Sequence, residues 1–475
     1  MCTPQRDLFG RAVPLDHELS AALQRRVADE RAMLERVEEG RLDFFSFDIH
    51  FAHVMAAGGF DVVAGNPPWV RNSRIEGRTK RMLSDRYALF RGRRDRTSFH
   101  QPDLSLAFFD RSLGLVAPNG VVALLMPAKI LNAGYAAPLR RAVLDRVVTV
   151  DDWSDDPRRR GWFDADTFPL GIVVKKGAVS DRVALTASGE SFELPRHRLV
   201  AGTSEWSLVP PAVAAILHRL REQHETFESR LGRRPFMGVK TGDNHSFFLE
   251  GASLRSCSLV TAEGVRVPLT AVCRCVRGRD LQRWSASASE WMLWPPAGGW
   301  PKPPRWVEQF AATRELEVAD LHLAFVRAEH VGIKVAWKDL SRGVAAAVLP
   351  DVVHVDGQAF PLIPNQTLYA IDTASLDEAY AIAAVLNSSV AGALLIAVAE
   401  RAKDAHYRYF GRTVAALPWP DLRPDGDRLS RLSRRAHVGA NVMRQIDEVV
   451  AGAYGVTADE RAVLSAFLER RLGRG

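Results

Sequence analysis

Apolar residues recur with helical spacing at Leu19, Leu23, Val27 and Leu34 among the charges of residues 16–39, which predicts a helix there. FDVVAGN at 60–66 is a short apolar run closed by Gly-Asn, the pattern of a buried strand whose carboxyl end meets a loop. Residues 102–120 read as an apolar helix, with a proline at its start and Asn-Gly after its end. VVALLMP at 121–127 reads as a second buried strand, followed by a helix from Ala136 to Arg146 and strands near 147–153 and 170–176. Alternating strands and helices predict an α/β fold with a largely parallel sheet.

From about residue 230 the pattern changes to shorter, strand-like segments richer in Trp, Pro and Gly. WMLWPPAGGWPKPPRW at 291–306 reads as a loop region rather than a strand or helix. Helix returns over 379–399, a loop ends at LPWP (417–420), and the last 50 residues read as helical. Thr457 and Glu460 there have the spacing of a capping box.

Composition narrows the class. A chain of 475 residues suffices for roughly two to four domains. With 47% hydrophobic and 25% charged residues, wholesale disorder is excluded. No run reaches the roughly 18–20 apolar residues of a membrane span, and the first residues have no signal-peptide core, so a cytoplasmic protein without membrane attachment is expected. Four cysteines, at 2, 257, 273 and 275, are too few for a disulfide framework. Cys273-Arg-Cys275 has the wrong spacing for structural zinc, there is no H-E-x-x-H, and no metal site is expected. GVKTGDN lacks the spacing of a phosphate-binding loop.

The net charge of +7 is concentrated. Between Arg71 and Arg96 lie ten basic and three acidic residues, an excess equal to that of the whole chain. Such a segment is either a solvated surface or a phosphate-neutralising one, and the latter would bind DNA in a strongly salt-dependent way. The residues just before it favour the second reading.

Asn66-Pro67-Pro68-Trp69 directly follows the predicted strand. Two consecutive prolines remove two amide donors and hold the backbone stiff and extended. The Asn66 carboxamide oxygen and the Pro67 carbonyl can then face one point, with the Trp69 ring beside it. Two acceptors and a flat ring suit the exocyclic amine of a nucleobase. Accepting both hydrogens frees the nitrogen lone pair from ring conjugation and makes it a better nucleophile. A base in a duplex must first leave the stack, at about a few kcal/mol.

With these residues the sequence resembles the amino-methylating DNA methyltransferases, in particular type IIG-like restriction-modification and phage-defence methylases. GGFDVVAGNPPWVR (58–71) looks like the family's motif IV, and Asn at its first position is typical of the adenine-N6 branch. FFSFDIHFAHVMAAGG (44–59) resembles its lead-in, and the helix at 16–39 is similar to an insert those proteins carry. Gln101-Pro102-Asp103-Leu104 looks like motif V, and residues 120–145 match the following strand, loop and helix. Segments 236–249, 274–284, 363–371, 386–395 and 406–420 are like parts of a target-recognition domain, and 446–460 resembles a helical tail.

The resemblance implies a division of the chain. It assigns 1–43 to an N-terminal helical segment, 44–195 to the catalytic half of a methyltransferase domain and 196–230 to a helical linker. The remainder is a target-recognition domain of α+β type at 231–420 and a helical tail at 421–475. It further implies a methyl group from S-adenosylmethionine, a flipped adenine held by Asn66, Pro67, Pro68 and Trp69, and Asp103 near the cofactor. Double-stranded DNA would be held by Arg71, Arg74, Arg78, Lys80 and Arg81, and read or held by Lys240, Thr241, Asn244, Arg277, Arg279 and Gln282. The family's Gly-rich cofactor loop precedes motif IV, and none of the 65 residues before Asn66 forms one. The expectation is therefore a partial Rossmann-like methyltransferase sheet lacking its N-terminal cofactor-loop strands, either completed by a second polypeptide or left inactive alone by truncation of the gene product. The competing expectation is a DNA-binding specificity subunit with no methylating activity of its own.

Overall fold

The structure, a computed structural model, describes residues 17–38, 45–91, 101–154, 168–201, 204–402 and 405–473. Six strands form the first sheet: β1 (Phe60–Gly65), β2 (Val116–Pro127), β3 (Val147–Asp152), β4 (Pro169–Lys175), β5 (Arg182–Ala187) and β6 (Glu190–Pro195). Their order is β1-β2-β4-β3-β5-β6. The pairs β1/β2 and β3/β5 are parallel, whereas β4 is antiparallel to both β2 and β3, and β6 to β5. The largely parallel sheet expected from the alternation is thus a mixed one. Four strands run in one direction, but the reversed β4 inserts between two of them.

The helices of this part are α1 (His17–Glu38), α2 (Phe47–His50), α3 (Ala52–Ala56), α4 (Gly77–Arg86), α5 (Ala88–Arg91), α6 (Ser105–Leu115) and α7 (Ala137–Val143). The helix expected over 102–120 is shorter, because α6 ends at Leu115 and β2 begins at Val116. Pairing with β1 captures the extra residues: Phe60 faces Val116, and the register then shifts so that Val62 faces Val121. Asn119 takes a positive φ of 66° in this irregularity. A Cβ on Gly120 would lie 2.6 Å from the Val116 side chain and 2.8 Å from the Asp61 carbonyl, so only glycine fits.

Alternation along β2 buries Val122, Leu124 and Met126. They share an apolar core with Leu106 and Phe109 of α6 and Leu139 and Val143 of α7. Full burial of each such side chain contributes about 1.5–3 kcal/mol. The same core continues through the helices Pro211–Gln223, Leu376–Leu386, Ser389–Val398, Gly426–His437, Met443–Ala453 and Ala458–Arg471. The helix expected over 379–399 is two helices bent by 65°. No single helix among the described residues is long and apolar enough to cross a membrane. Thr457 and Glu460 form the capping box read from the sequence.

Residues 236–372 build two four-stranded sheets. One joins Glu290–Leu293, Val272–Val276, Gln358–Pro364 and Val352–Val355; the other joins Ala346–Leu349, Lys334–Lys338, Leu368–Asp372 and Phe236–Met237. The stretch expected as loop from 291 therefore begins as a strand, whose Trp291, Met292 and Leu293 are buried against Cys273, Cys275 and Phe360. Apolar periodicity there was hidden by the prolines that follow.

One edge of the first sheet is open. Strand β1 pairs only with β2 among the described residues, and its Val62 is 59% exposed. On α1 the periodic Leu23, Val27 and Leu34 are also exposed, at 55%, 48% and 58%.

Candidate active site

Asn66 follows the last residue of β1, at the carboxyl end of a parallel strand, where open α/β sheets place their ligands. It is exposed, and its carboxamide has no hydrogen-bond partner among the described residues, whereas Pro67 beside it is buried. Trp69 is half-buried, and its Nε1 donates to the carbonyl of Leu125 in β2 at 3.1 Å. The bond fixes the indole edge against the neighbouring strand.

The segment before α6 braces this loop. The Leu104 amide donates to the Val70 carbonyl at 3.0 Å. Asp103 accepts the Ser105 amide at 3.0 Å. Burial pushes its carboxyl pKa up, while hydrogen bonding from Ser105 and the Lys129 charge oppose that rise. Asp103 alone is no cradle for S-adenosylmethionine: it is 8% exposed, and its carboxylate accepts the Ser105 amide at the start of α6.

The turn after β2 forms the neighbouring wall. Arg140, 2% exposed, donates to Ile130 and Ala133 carbonyls at 2.6 and 3.0 Å and to the Ser204 carbonyl at 2.6 Å. Burial lowers its pKa to about 10, with Glu205 opposing. The arginine thus ties three carbonyls of the wall together. Lys129 in the same turn pairs with Glu400 at 3.2 Å.

Beyond the loop, Ile75 before α4, Leu83 of α4 and Phe90 of α5 turn inward against Ala107. Arg71, Arg74, Arg78 and Arg81 face outward and Lys80 is half-buried. Among the described residues no carboxylate pairs with any of the five; Arg93, Arg94 and Arg96 lie outside the described residues. The basic segment is a cationic face joined directly to the loop.

The other sequence-derived residues divide. Lys240, Asn244 and Gln282 are exposed, whereas Thr241 is buried and donates to the Asn244 carboxamide at 3.0 Å. Arg277 lies 3.8 Å from the Phe248 ring centroid and pairs with Glu290 at 2.6 Å; Arg279 pairs with the same carboxylate. Both arginines are therefore engaged within their own sheet. Cys273 and Cys275 are buried, burial raises both thiol pKa values, and no group of three metal-binding side chains occurs among the described residues. Sequence reasoning missed Lys129, Arg140 and Glu400. Only the position of Lys129 just past a strand's carboxyl end could have marked one of them.

Residues 17–149 match the family model described as Eco57I restriction-modification methylase. The Type II methyltransferase M.PaeR7I of Pseudomonas aeruginosa is 25% identical over 236 residues, covering 44% of this chain and 39% of that protein. M.XhoI of Xanthomonas vasicola, also a Type II methyltransferase, is 26% identical over 210 residues, covering 39% of this chain and 37% of that protein. The chain therefore spans less than two fifths of the length of these curated relatives. The fold resembles that of the Type IIL restriction-modification enzyme MmeI, solved in complex with DNA, with a TM-score of 0.56 and 13% identity over 87% of this chain and 57% of that one. Residues 17–149, which include Asn66–Trp69, are thus similar to the restriction-modification methylases that this family model describes.

Proposed function

We propose that the chain is the catalytic-loop and target-recognition part of a site-specific DNA adenine-N6 methyltransferase. The observation that carries this is Asn66, exposed and without a hydrogen-bond partner among the described residues, at a strand's carboxyl end beside an anchored Trp69. Asn66 and the Pro67 carbonyl accept the two hydrogens of a flipped adenine's amino group, and Trp69 stacks on its ring. Asn at the first position of this loop favours adenine over cytosine.

Arg71, Arg74, Arg78, Lys80 and Arg81 hold phosphates next to the flipped base, and Lys240, Asn244 and Gln282 belong to the recognition part, residues 231–420. S-adenosylmethionine supplies the methyl group. Its binding is assigned to a second polypeptide whose strands add to the open edge of β1, with Asp103 at the rim of that site. The exposed Val62, Leu23, Val27 and Leu34 support such a covered surface.

The test is methylation of duplex DNA by the chain and its completing polypeptide with labelled S-adenosylmethionine. Asn66→Ala abolishes transfer and changes DNA affinity by no more than about a few-fold. Unchanged transfer in that variant refutes the assignment. N6-methyl-2′-deoxyadenosine in the digested product separates adenine from cytosine as target.

A further inference from the structure

The Trp- and Pro-rich stretch 291–306 has no part in the site at Asn66, and it builds a cavity of its own. Directly after the strand Glu290–Leu293, the Trp294 amide donates to the Ala271 carbonyl at 2.8 Å. Pro295 and Pro296 then restrict the backbone. Gly298 and Gly299 take positive φ values of 81° and 80°, and the Gly299 amide donates to the Pro296 carbonyl at 2.9 Å, closing a tight turn. The chain becomes helical again over Arg305–Thr313, whose Val307 and Phe310 are buried. Trp294, Trp300 and Trp306 are thereby held half-buried along one cavity of about 780 Å³. Their rings rest on the apolar core that contains Phe310 and Leu321, not on the core shared by β2 and α6.

The chemistry of the lining narrows the guest. Trp300 and Trp306 meet with ring centroids 5.6 Å apart at 87°, so a face and an edge form an aromatic corner. None of the three indole N–H groups has a hydrogen-bond partner among the described residues. Arg327 and His322 stand exposed at the cavity; Arg327 pairs with no carboxylate among the described residues, and no Asp or Glu lines the space. A cationic guest suits aromatic walls, but here it meets Arg327 and finds no carboxylate. An aliphatic guest leaves the indole donors unused. A nucleotide meets every feature: its base stacks on the indoles, its ring acceptors take their N–H groups, and its phosphate takes the guanidinium. The volume falls within the roughly 300–1,000 Å³ of small-ligand sites.

We propose that this cavity holds one unpaired nucleotide of a DNA strand, with its base against Trp300 and Trp306 and its phosphate at Arg327. The site lies in the recognition part and on a different core from the loop that carries Asn66. It is therefore distinct from the place assigned to the flipped adenine. The inference rests on the reading of the chain as a DNA-binding methyltransferase for its source of nucleotide, but binding here requires no methyl transfer.

The full chain, labelled with fluorotryptophan, is titrated with an adenine deoxydinucleotide carrying a 5′-phosphate, and fluorine spectra follow each indole. Saturable shifts are expected at Trp300 and Trp306, and none at Trp337, which is fully buried in the strand Lys334–Lys338. Trp306→Ala weakens dinucleotide binding by about tenfold or more, and Trp306→Phe by less than about threefold. Arg327→Glu leaves the core untouched, so its urea midpoint stays at the wild-type value while dinucleotide binding falls by about tenfold or more. A duplex with one unpaired adenine binds the wild-type chain about tenfold more tightly than the same duplex fully paired. Trp306→Ala and Arg327→Glu each remove that preference. No saturable shift, an equal shift with an uncharged proline-rich peptide, or a preference that survives both substitutions overturns the proposal. Dinucleotide binding by a chain that binds neither duplex overturns the DNA-binding reading and leaves the nucleotide site standing.

Discussion

Trp69 and Leu125 are joined by a hydrogen bond from the indole Nε1 to the backbone carbonyl, 3.1 Å long, between the loop after β1 and the neighbouring strand β2. The ring's orientation is thus set by a strand and not by the loop itself. Trp69→Phe keeps a stacking face but loses this anchor, at about 1 kcal/mol of stability. Trp69→Ala also loses base stacking, worth about 1–3 kcal/mol. Fluorescence of 2-aminopurine at the target position should fall modestly in the first variant and strongly in the second. Equal base extrusion in all three proteins would count against a stacking role.

The outward arginines of α4 and of the turn before it make the basic face a test of DNA contact. Each phosphate contact steepens the dependence of log K on log salt by about 0.9. Replacing Arg74, Arg78 and Arg81 together by Ala should flatten that slope by up to about 3 and weaken all DNA sequences alike. Filter binding across a salt series measures it. An unaltered slope would make the face merely solvated.

Val62 is 59% exposed on the open edge of β1, so a charge there costs the isolated chain little. Val62→Lys should change its stability by less than about 0.5 kcal/mol. The same lysine would lie against the incoming strand and block sheet addition. Loss of co-purification with the completing polypeptide, at unchanged urea midpoint, is the expected result. Wild-type recovery of the complex would place the interface elsewhere.

Lys334 offers a pH signature independent of catalysis. It is fully buried, donates to the Leu362 carbonyl at 3.0 Å, and burial lowers its pKa from 10.5 to about 7, with Asp351 opposing. Between those values the unfolded chain holds a proton that the native chain does not, so stability rises with pH across the window. Below about pH 7 the penalty is fully present, on the order of a few kcal/mol. Lys334→Met should therefore gain most over wild type at pH 6 and progressively less towards pH 10. Urea unfolding of both proteins at several pH values measures it; a pH-independent difference would contradict it.

Local chemistry was legible where one segment carries all of it. The strand FDVVAG and the stiff Asn-Pro-Pro-Trp after it are adjacent in sequence, as are the helix over 16–39 and the capping box of Thr457 and Glu460. What depends on a distant partner was not. The end of α6 at Leu115 was misplaced because pairing of Val116 with Phe60 overrides local helix propensity. The strand at Glu290–Leu293 carries no local signal past residue 290, because its support comes from Val272–Val276.

The sequence by itself determined an α/β region, a stiff Asn-Pro-Pro-Trp loop after its first strand and a cationic segment immediately after that loop. Hydrophobic period, proline stiffness and charge are properties of neighbouring residues, and they survive without knowledge of the rest. Tertiary structure decided that β4 inserts between β2 and β3, that β1 is an open edge, and that Trp69 leans on Leu125. It also decided which charges are spent. Arg277 and Arg279 share Glu290 within their own sheet, while Lys129 reaches Glu400 from 271 positions away in the chain. Such pairings follow from which surfaces the core brings together, and no local pattern encodes them.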